Sequence, residues 1–531
     1  MGQEEKTKEC LDNVEVLVMY DVRGIQNYIF RTNHIKDIIG ASAMVENIIT
    51  EGLEYIVSEK SWDKTLFLTE WESDQGDEFL KKAEIQMQVM FIGGGNAYVL
   101  FRTGKLAHDV NKKLAKYVLD HTYSLNLAVA MVKKSDDYAK DYKKINEEMR
   151  HVKGRMPEVK PVGAMPFMAV DSITGYPLSK VEKIKNEEGK IEQKKWLCTE
   201  TFLKREKFPK EESAEKILDN MVTEKGDNSS LAIVHMDGNN MGKRIQKIMS
   251  NKTDYVEAIT TMRKISMNIK NGFQEAYGAM EKYIDQKLAP KVTGNREGKL
   301  HRKIILAGDD ITFICNASVA IDAVVEFLHQ VSEKKLYKNT ELSEEDNLKE
   351  YAFSACAGIA FINSHFPFSD GYKVAEECCE SAKKKAKAAE NRADGAAEGN
   401  IGNFLDYQIC THIKAADLEL YREENYVVEG MKDPIINRPY YVPCKVLDTY
   451  ADLNERNHAF DINKMLAAIG KFQKIPRGQA KTLRNSYALG SAEVDKYITF
   501  LKSRKVSLPE NIRTCWYDAL ELMDLYPKTE V

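Results

Sequence analysis

Twice along this chain an apolar strand ends in an aspartate, helical sequence follows, and a pair of apolar strands then flanks a glycine-bearing turn. The first copy runs from Val16-Leu17-Val18-Met19-Tyr20 into Asp21, and later from Met90-Phe91-Ile92 through Gly93-Gly94-Gly95-Asn96 into Ala97-Tyr98-Val99-Leu100-Phe101. The second runs from Leu231-Ala232-Ile233-Val234-His235-Met236 into Asp237, and later from Ile304-Ile305-Leu306 through Ala307-Gly308-Asp309-Asp310 into Ile311-Thr312-Phe313-Ile314-Cys315. Asp21 precedes Gly95 by 74 positions, and Asp237 precedes Asp309 by 72. Such a repeat restricts the fold more than composition does, because each copy must bury equivalent faces in the same order. Apolar runs joined by a glycine turn predict β-hairpins. The periodicity from Tyr255 to Tyr283 predicts a helix between strand and hairpin. Each copy therefore reads as β-α-α-β, a ferredoxin-like beginning. Leu125 to Val132 and Phe353 to Ile362 supply one more strand apiece, and a helix opens near Asp370 in the second copy.

A chain of 531 residues exceeds what one hydrophobic core normally serves. We read residues 1–135 as the first copy with a degenerate GGGN turn, and 136–225 as a helical and loop insert containing the charged run Lys180 to Lys195. Residues 226–405 form the second copy with its AGDD turn, and 406–531 a small all-α C-terminal domain. The last rests on amphipathic stretches at Asp461 to Phe472 and Ser491 to Ser503, punctuated by Pro476 and Gly478. The expected class is α+β: two ferredoxin-like domains facing each other, plus a C-terminal helical domain.

Charge and cysteine usage exclude several classes of protein. Lys plus Arg (77) nearly balances Asp plus Glu (81), so nucleic acid would have to be met by a local patch. No apolar run reaches the roughly 20 residues of a membrane span, and the charged opening MGQEEKTKEC has no apolar signal core. The nine cysteines are scattered, form no CxxC, and include the adjacent pair Cys378–Cys379. We expect a reduced, cytoplasmic chain with neither structural zinc nor membrane attachment.

Chemistry concentrates in the second copy. Asp309 and Asp310 occupy a tight turn, and Asp237 ends what should be a neighbouring strand. Adjacent carboxylates repel unless a cation joins them, and Mg²⁺ takes a few carboxylates together with phosphate oxygens. Asp237, Asp309 and Asp310 are thus the candidate catalytic and metal-binding residues, for Mg²⁺ or Mn²⁺. Gly238 and Gly308 let backbone approach phosphate closely. Lys383, Lys384, Lys385 and Lys387 crowd the second half of the helix from Asp370. They read either as a solvated face complementing the helix dipole or, for one or two of them, as triphosphate ligands. The first copy keeps Asp21 but has no carboxylate in its turn. It either binds nucleotide through the open backbone of Gly94 and Gly95 or acts only as a structural partner. The basic cluster Lys471, Lys474, Arg477, Lys481 and Arg484 reads as a solvated surface or as a phosphate-backbone contact.

These residues resemble a known family. Asp21-Val22-Arg23-Gly24-Ile25-Gln26 with Tyr28-Ile29-Phe30 and Gly40-Ala41-Ser42 resembles the first palm domain of the large polymerase/cyclase subunit of type III CRISPR effector complexes. Asp237-Gly238-Asn239-Asn240-Met241-Gly242, the AGDD turn, Ser354 to Ala360 and the helix bearing Ala375-Glu376 and Ala382-Lys383 resemble its second palm. The C-terminal part around Ile475-Pro476-Arg477 is similar to that family's last domain. The AGDD turn with Ala382-Lys383 also shows a weaker kinship to GGDEF diguanylate cyclases. The resemblance implies a nucleotidyltransferase that binds two ATP molecules between its palms and builds cyclic oligoadenylates for antiviral signalling. It further implies that Gly238, Asn239 and Asn240 lie under the phosphates, that Lys383 meets the triphosphate, and that Gln26 and Ser42 line the first palm's pocket. RNA and other effector subunits are the implied partners.

Three departures qualify the likeness. Ala307 replaces the first glycine of GGDD, and Asn239 stands where relatives often carry an aspartate. The N-terminal HD nuclease and the zinc-ribbon cysteines have no counterpart: His108-Asp109 lacks a companion cluster and reads as helix surface, and Cys198 is isolated. The alternatives carried forward are a non-catalytic nucleotide- and RNA-binding subunit and a mononucleotide cyclase.

Overall fold

The structure is a computed structural model describing residues 11–72, 77–93, 95–156, 164–185, 191–209, 218, 221–222, 230–293, 299–390, 402–410, 417–444, 457–509 and 513–526. Backbone contacts divide the chain into two compact units: Met1–Ala214 with Met241–Lys270, and Glu215–Asn240 with Asn271–Val531. Their strands form a five-stranded sheet, a six-stranded sheet and a two-stranded ribbon.

In the first unit, β1 (Val16–Arg23) pairs antiparallel with both β4 (Asn96–Phe101) and β5 (Asn126–Lys133). With β2 (Phe67–Leu68) and β3 (Met87–Gly93) the order is β2-β3-β4-β1-β5. Leaving out the short β2, this is the ferredoxin-like arrangement that the repeat predicts. Val16 to Tyr20 are all buried, so the central strand is covered on both faces, as an uninterrupted apolar run requires. Two short helices, α1 (Ile25–Phe30) and α2 (Ile35–Glu46), follow β1 and lead to α3 (Ile48–Glu59). Helix α4 (Gly104–Thr122) starts where the Thr103 hydroxyl accepts from the Leu106 amide, an N-cap that relieves an otherwise orphaned donor. His108 and Asp109 sit on α4, where Asp109 pairs with Lys60 at 3.3 Å.

The presumed helical and loop insert is different in detail. It opens with a true helix, α5 (Tyr138–Arg155), which packs on β5. The charged run, however, is a β-ribbon, β6 (Leu178–Lys185) against β7 (Ile191–Cys198). Charge suggested helix or loop, yet Val181, Ile184, Ile191 and Trp196 favour extended backbone. Val181 lies opposite Trp196 across the ribbon, and the Glu182 carboxylate is bound by Lys36 at 2.7 Å and by Arg205. The next helix, α6 (Thr199–Glu206), is anchored in the first unit by Lys204. Its buried ammonium donates to the Tyr28 carbonyl and the Glu200 carboxylate, both at 2.7 Å.

The second unit is built on β8 (Ser230–Gly238), flanked by β10 (Asp310–Asn316) and β11 (Ala355–Asn363). Strand β9 (His301–Ala307) completes the hairpin, and β12 (Asn403–Ile409) and β13 (Tyr440–Val442) extend the other side, in the order β13-β12-β11-β8-β10-β9. The four strands from β8 to β11 repeat the ordering of the first sheet. In chain order α7 (Met241–Met249) follows β8 and α8 (Tyr255–Tyr283) precedes the hairpin, but α7 and α8 as far as Lys270 are assigned to the first unit; α9 (Ala320–Ser332) follows the hairpin. Helix α10 (Phe368–Glu390) lies against β8, β11 and β12. At Gly358 the approach is closest: a Cβ there would stand 2.0 Å from the Ala375 carbonyl oxygen and 2.3 Å from the Cys379 nitrogen.

The C-terminal region is not purely helical. Strand β12 crosses the expected boundary at residue 405 and β13 lies wholly beyond it, so the sheet continues into the segment read as all-α. Helix α11 (Leu418–Tyr426) carries Arg422, which grips Asp406 of β12 through two bonds of 2.8 and 2.9 Å. Helices α12 (Ile462–Phe472), α13 (Arg477–Ser486), α14 (Ser491–Ser503) and α15 (Trp516–Leu522) follow. Arg438 is buried over the Tyr407 ring and donates to Asp518 at 3.2 Å and Glu521 at 2.6 Å, while the Tyr440 hydroxyl donates to Asp518 at 2.6 Å. These bonds satisfy charges that would be costly to bury unpaired. Among the described residues no helix is long and apolar enough to cross a membrane.

The contact at Gly358 yields a prediction. A Gly358→Val chain must push α10 off β11, so urea unfolding should show a loss of about 3 kcal/mol or more.

Candidate functional site

The site starts from two strand ends. In the β8–β10 ladder Ile311 faces Met236; continued by one residue, that register sets Asp310 beside Asp237. Gly308 adopts φ 67°, a conformation that costs glycine little, and so turns the chain tightly enough to put Asp309 at the tip. Both Asp237 and Asp310 remain about 30% exposed at their side chains, at 31% and 29%. Asp309 responds to this crowding. Burial, then the charges of Asp237 and Asp310, push its carboxyl up to about 7.

Lys383 of α10 forms an ion pair with Asp237. Partial burial pulls its ammonium pKa down, but the Asp237 carboxylate outweighs that and holds it above the ordinary lysine value. Lys383 is therefore a fixed cation at the acidic end of β8. The sequence offered four lysines on this helix, and the structure separates them. Lys384, one step of about 100° further round, is 73% exposed and pairs with Glu419 at 3.3 Å. It does not join the acids.

Other expected residues are distributed as follows. Gly238 is buried at the end of β8. Asn239, 1% exposed, is turned inward: its side-chain amide donates to Gly402 O at 2.9 Å and Ser354 Oγ at 3.3 Å. Its side chain thus bridges the ends of three strands. Asn240, at φ 53°, makes the sharp exit toward α7. Gln26 on α1, Ser42 on α2 and Gly95 belong to the first unit. Gly94 lies outside the described residues. Gly95 has φ 81°, and its carbonyl accepts from the Val22 amide at 2.9 Å.

The first unit holds an echo of the Lys383 pair. Asp21 of β1 is bound by Lys153 of α5 at 2.5 Å. Lys153 and Lys383 each stand fifteen residues after the first residue of the helix that follows the fourth ferredoxin-like strand. The repeat thus extends to an ion pair that strand patterns alone did not show.

Sequence reading also missed the group behind Asp310. His235, 4% exposed, places Nδ1 3.2 Å from Thr312 Oγ1 and 3.6 Å from Asp310 Oδ1. Tyr372 stacks edge-on to its ring at 5.6 Å. Burial pushes the Glu376 carboxyl up; His235 pulls it down and Asp310 adds to the rise. A signal was present: His235 and Asp237 share a strand face at a spacing of two, and Tyr372, Glu376 and Lys383 share a helix face.

The donors fit a hard divalent cation in kind: carboxylate oxygens held close enough to repel one another. Among the described residues, however, no group of three or more His, Cys, Asp or Glu is gathered around one metal position. Asp237 is engaged by Lys383 instead.

Residues 230–393 match the family model described as Cas10/Cmr2, second palm domain, a span that contains Asp237, the AGDD turn and Lys383. Over these residues the chain is Cas10-like, which bears out the resemblance read from its motifs. No curated protein matches it. Among solved structures, Csm1 of T. onnurineus aligns at 12% identity over 99% of this chain and 72% of that one, with TM-score 0.53. A Csm1–Csm4 cassette in complex with cA4 aligns at 12% identity over 99% and 71%, with TM-score 0.47. One in complex with cA3 aligns at 14% over 70% and 53%, with TM-score 0.41. At these identities the likeness is one of fold, and the cA3-bound chain is spanned over only about half its length.

The charge on Asp309 sets a pH dependence. An unfolded aspartate titrates near ~4 and this one at about 7. Its protonated form favours folding below ~4, and that contribution is lost as pH rises through 7. In metal-free buffer Asp309→Asn should therefore be more stable than the parent at pH 8 by roughly 1–3 kcal/mol. Denaturant titrations should show the advantage vanish near pH 4.

Proposed function

We propose that this chain is a palm-type nucleotidyltransferase that joins ATP, or a related nucleoside triphosphate, into a cyclic or linear oligonucleotide messenger with release of pyrophosphate. The setting proposed is antiviral signalling of the type III CRISPR kind. The observation that carries this reading is the convergence of Asp237, Asp309, Asp310 and Lys383 at one end of a sheet whose sequence matches a Cas10/Cmr2 second palm.

Each residue has a role on this reading. Lys383 binds triphosphate oxygens, exchanging one anionic partner, Asp237, for another. The backbone at Gly308, free of a side chain, allows phosphate to come close to the turn. Asp237, Asp309 and Asp310 would hold Mg²⁺ or Mn²⁺, with substrate phosphates as further ligands. That ion, when bound, lowers the barrier by neutralising charge on the α-phosphate and the departing pyrophosphate. The bond formed joins a 3′-oxygen to the α-phosphorus; the bond broken links that phosphorus to the β-phosphate, which leaves as pyrophosphate. In this proposal the first ferredoxin-like copy binds a second nucleotide beside Gln26, Ser42 and Gly95.

A second reading rests on the ion pair itself. With Asp237 held by Lys383 and no three-acid metal group among the described residues, nucleotide could be a sensing ligand in a ribonucleoprotein subunit. The basic C-terminal cluster lends this little weight. Arg477 and Lys481 already pair with Asp524, at 2.9 and 3.5 Å.

The test is pyrophosphate release from each triphosphate with Mg²⁺ or Mn²⁺, with products resolved by mass. The parent protein should release pyrophosphate, and an Asp309→Ala/Asp310→Ala protein should lose about 10²-fold or more of that rate. Equal release by both would end the catalytic reading. Tight nucleotide binding without turnover would favour the second one, and a cyclic mononucleotide product would mark a mononucleotide cyclase.

A further inference from the structure

We infer that the second unit carries a separate site for a phosphate-bearing ligand of mononucleotide size, between α8 and β9. A cavity of about 350 Å³ opens there, within the size range of small-molecule sites. None of the residues assigned above to catalysis lines it. Its strand side presents Lys299, Arg302 and Lys303, against a single lining carboxylate, Glu281. Three cations around one concavity favour an anion, and phosphate suits Arg and Lys together.

The helix side shows that the cavity is built to be filled. Tyr277 is 2% exposed and lines it, yet its hydroxyl has no hydrogen-bond partner among the described residues. A buried polar atom in that condition is costly unless a ligand or water completes it. Gly278 lines the cavity beside it. A Cβ added there would meet nothing within 4 Å, although glycine inside a helix weakens it. No packing constraint calls for glycine at this place, whereas an open cavity does.

The remaining lining argues for more than bare phosphate. Glu281 would repel a naked anion, but it can accept from sugar hydroxyls. It lies 3.5 Å from Nδ1 of His301, which is itself held at Nε2 by Asp285 at 3.2 Å. Leu306 offers an apolar wall for a base, and the Gln274 amide can both donate and accept at a base edge. Lysine and arginine, rather than a metal ion, would balance the phosphate, so binding should need no divalent cation. The cavity lies along the strand that runs directly into the Asp309 turn.

Calorimetric titration of the full chain in EDTA with adenosine 5′-monophosphate, and separately with inorganic phosphate, tests this. EDTA silences any site that needs a metal. One saturable site is expected, at least tenfold tighter for the nucleotide than for phosphate. Lys303→Glu should weaken nucleotide binding tenfold or more. Gly278→Leu should abolish it without lowering Tm, because it fills open space while improving the helix. No saturable nucleotide binding, or binding that survives both substitutions, overturns the site. Equal affinity for the two probes overturns its assignment to a nucleotide.

Discussion

Repulsion among carboxylates at one end of β8 is the constraint from which the rest of the second unit takes its meaning. Asp237, Asp309 and Asp310 are brought together by an antiparallel register and a glycine turn, neither of which has any electrostatic reason to form. The cost shows in Asp309, whose carboxyl is pushed up to about 7 by burial and by Asp237. One cation, Lys383, is supplied from α10, and it reaches only Asp237 directly. A site of this kind is unfinished without further positive charge.

Holding such a site requires a rigid frame. Helix α10 can deliver Lys383 only because Gly358 lets the helix backbone settle directly on β11. Asn239, the residue after the acidic strand, is pinned by Ser354 and by the carbonyl of Gly402, which joins the ends of β8, β11 and β12. The Arg438–Asp518–Glu521 network then fastens the C-terminal helices to the far side of the same sheet. The acidic end of β8 and the C-terminal region therefore belong to one compact unit.

The frame was largely legible and the site partly so. Strands β1, β4, β8 and β10 stood out because they are buried on both faces and read as continuous apolar runs. The charged ribbon β6–β7 misled because lysine and glutamate are common in exposed helices as well as strands. There the cross-strand register, with Val181 opposite Trp196, and the hold of Lys36 and Arg205 on Glu182 decided the outcome, and such partners are not adjacent in sequence. The extension through β12 and β13 was hidden for a similar reason: short strands carry little periodicity of their own. The nearness of the three acids was legible from their turn and strand-end positions. The inward rotation of Asn239 was not, because it depends on Ser354 and Gly402, more than a hundred positions away.

What the amino-acid order settles alone is the duplicated strand-and-hairpin framework and the placing of acids at its turns. Alternation and apolar runs fix which backbone extends, and glycine fixes where it reverses. Which lysine serves the acids is another matter. Lys383 and Lys384 are neighbours of the same chemistry, yet a single helical step sends one to Asp237 and the other to Glu419 at the surface. Only packing of α10 against β8 and β11 sets that rotation, since side-chain direction on a helix has no meaning until a neighbouring surface is present.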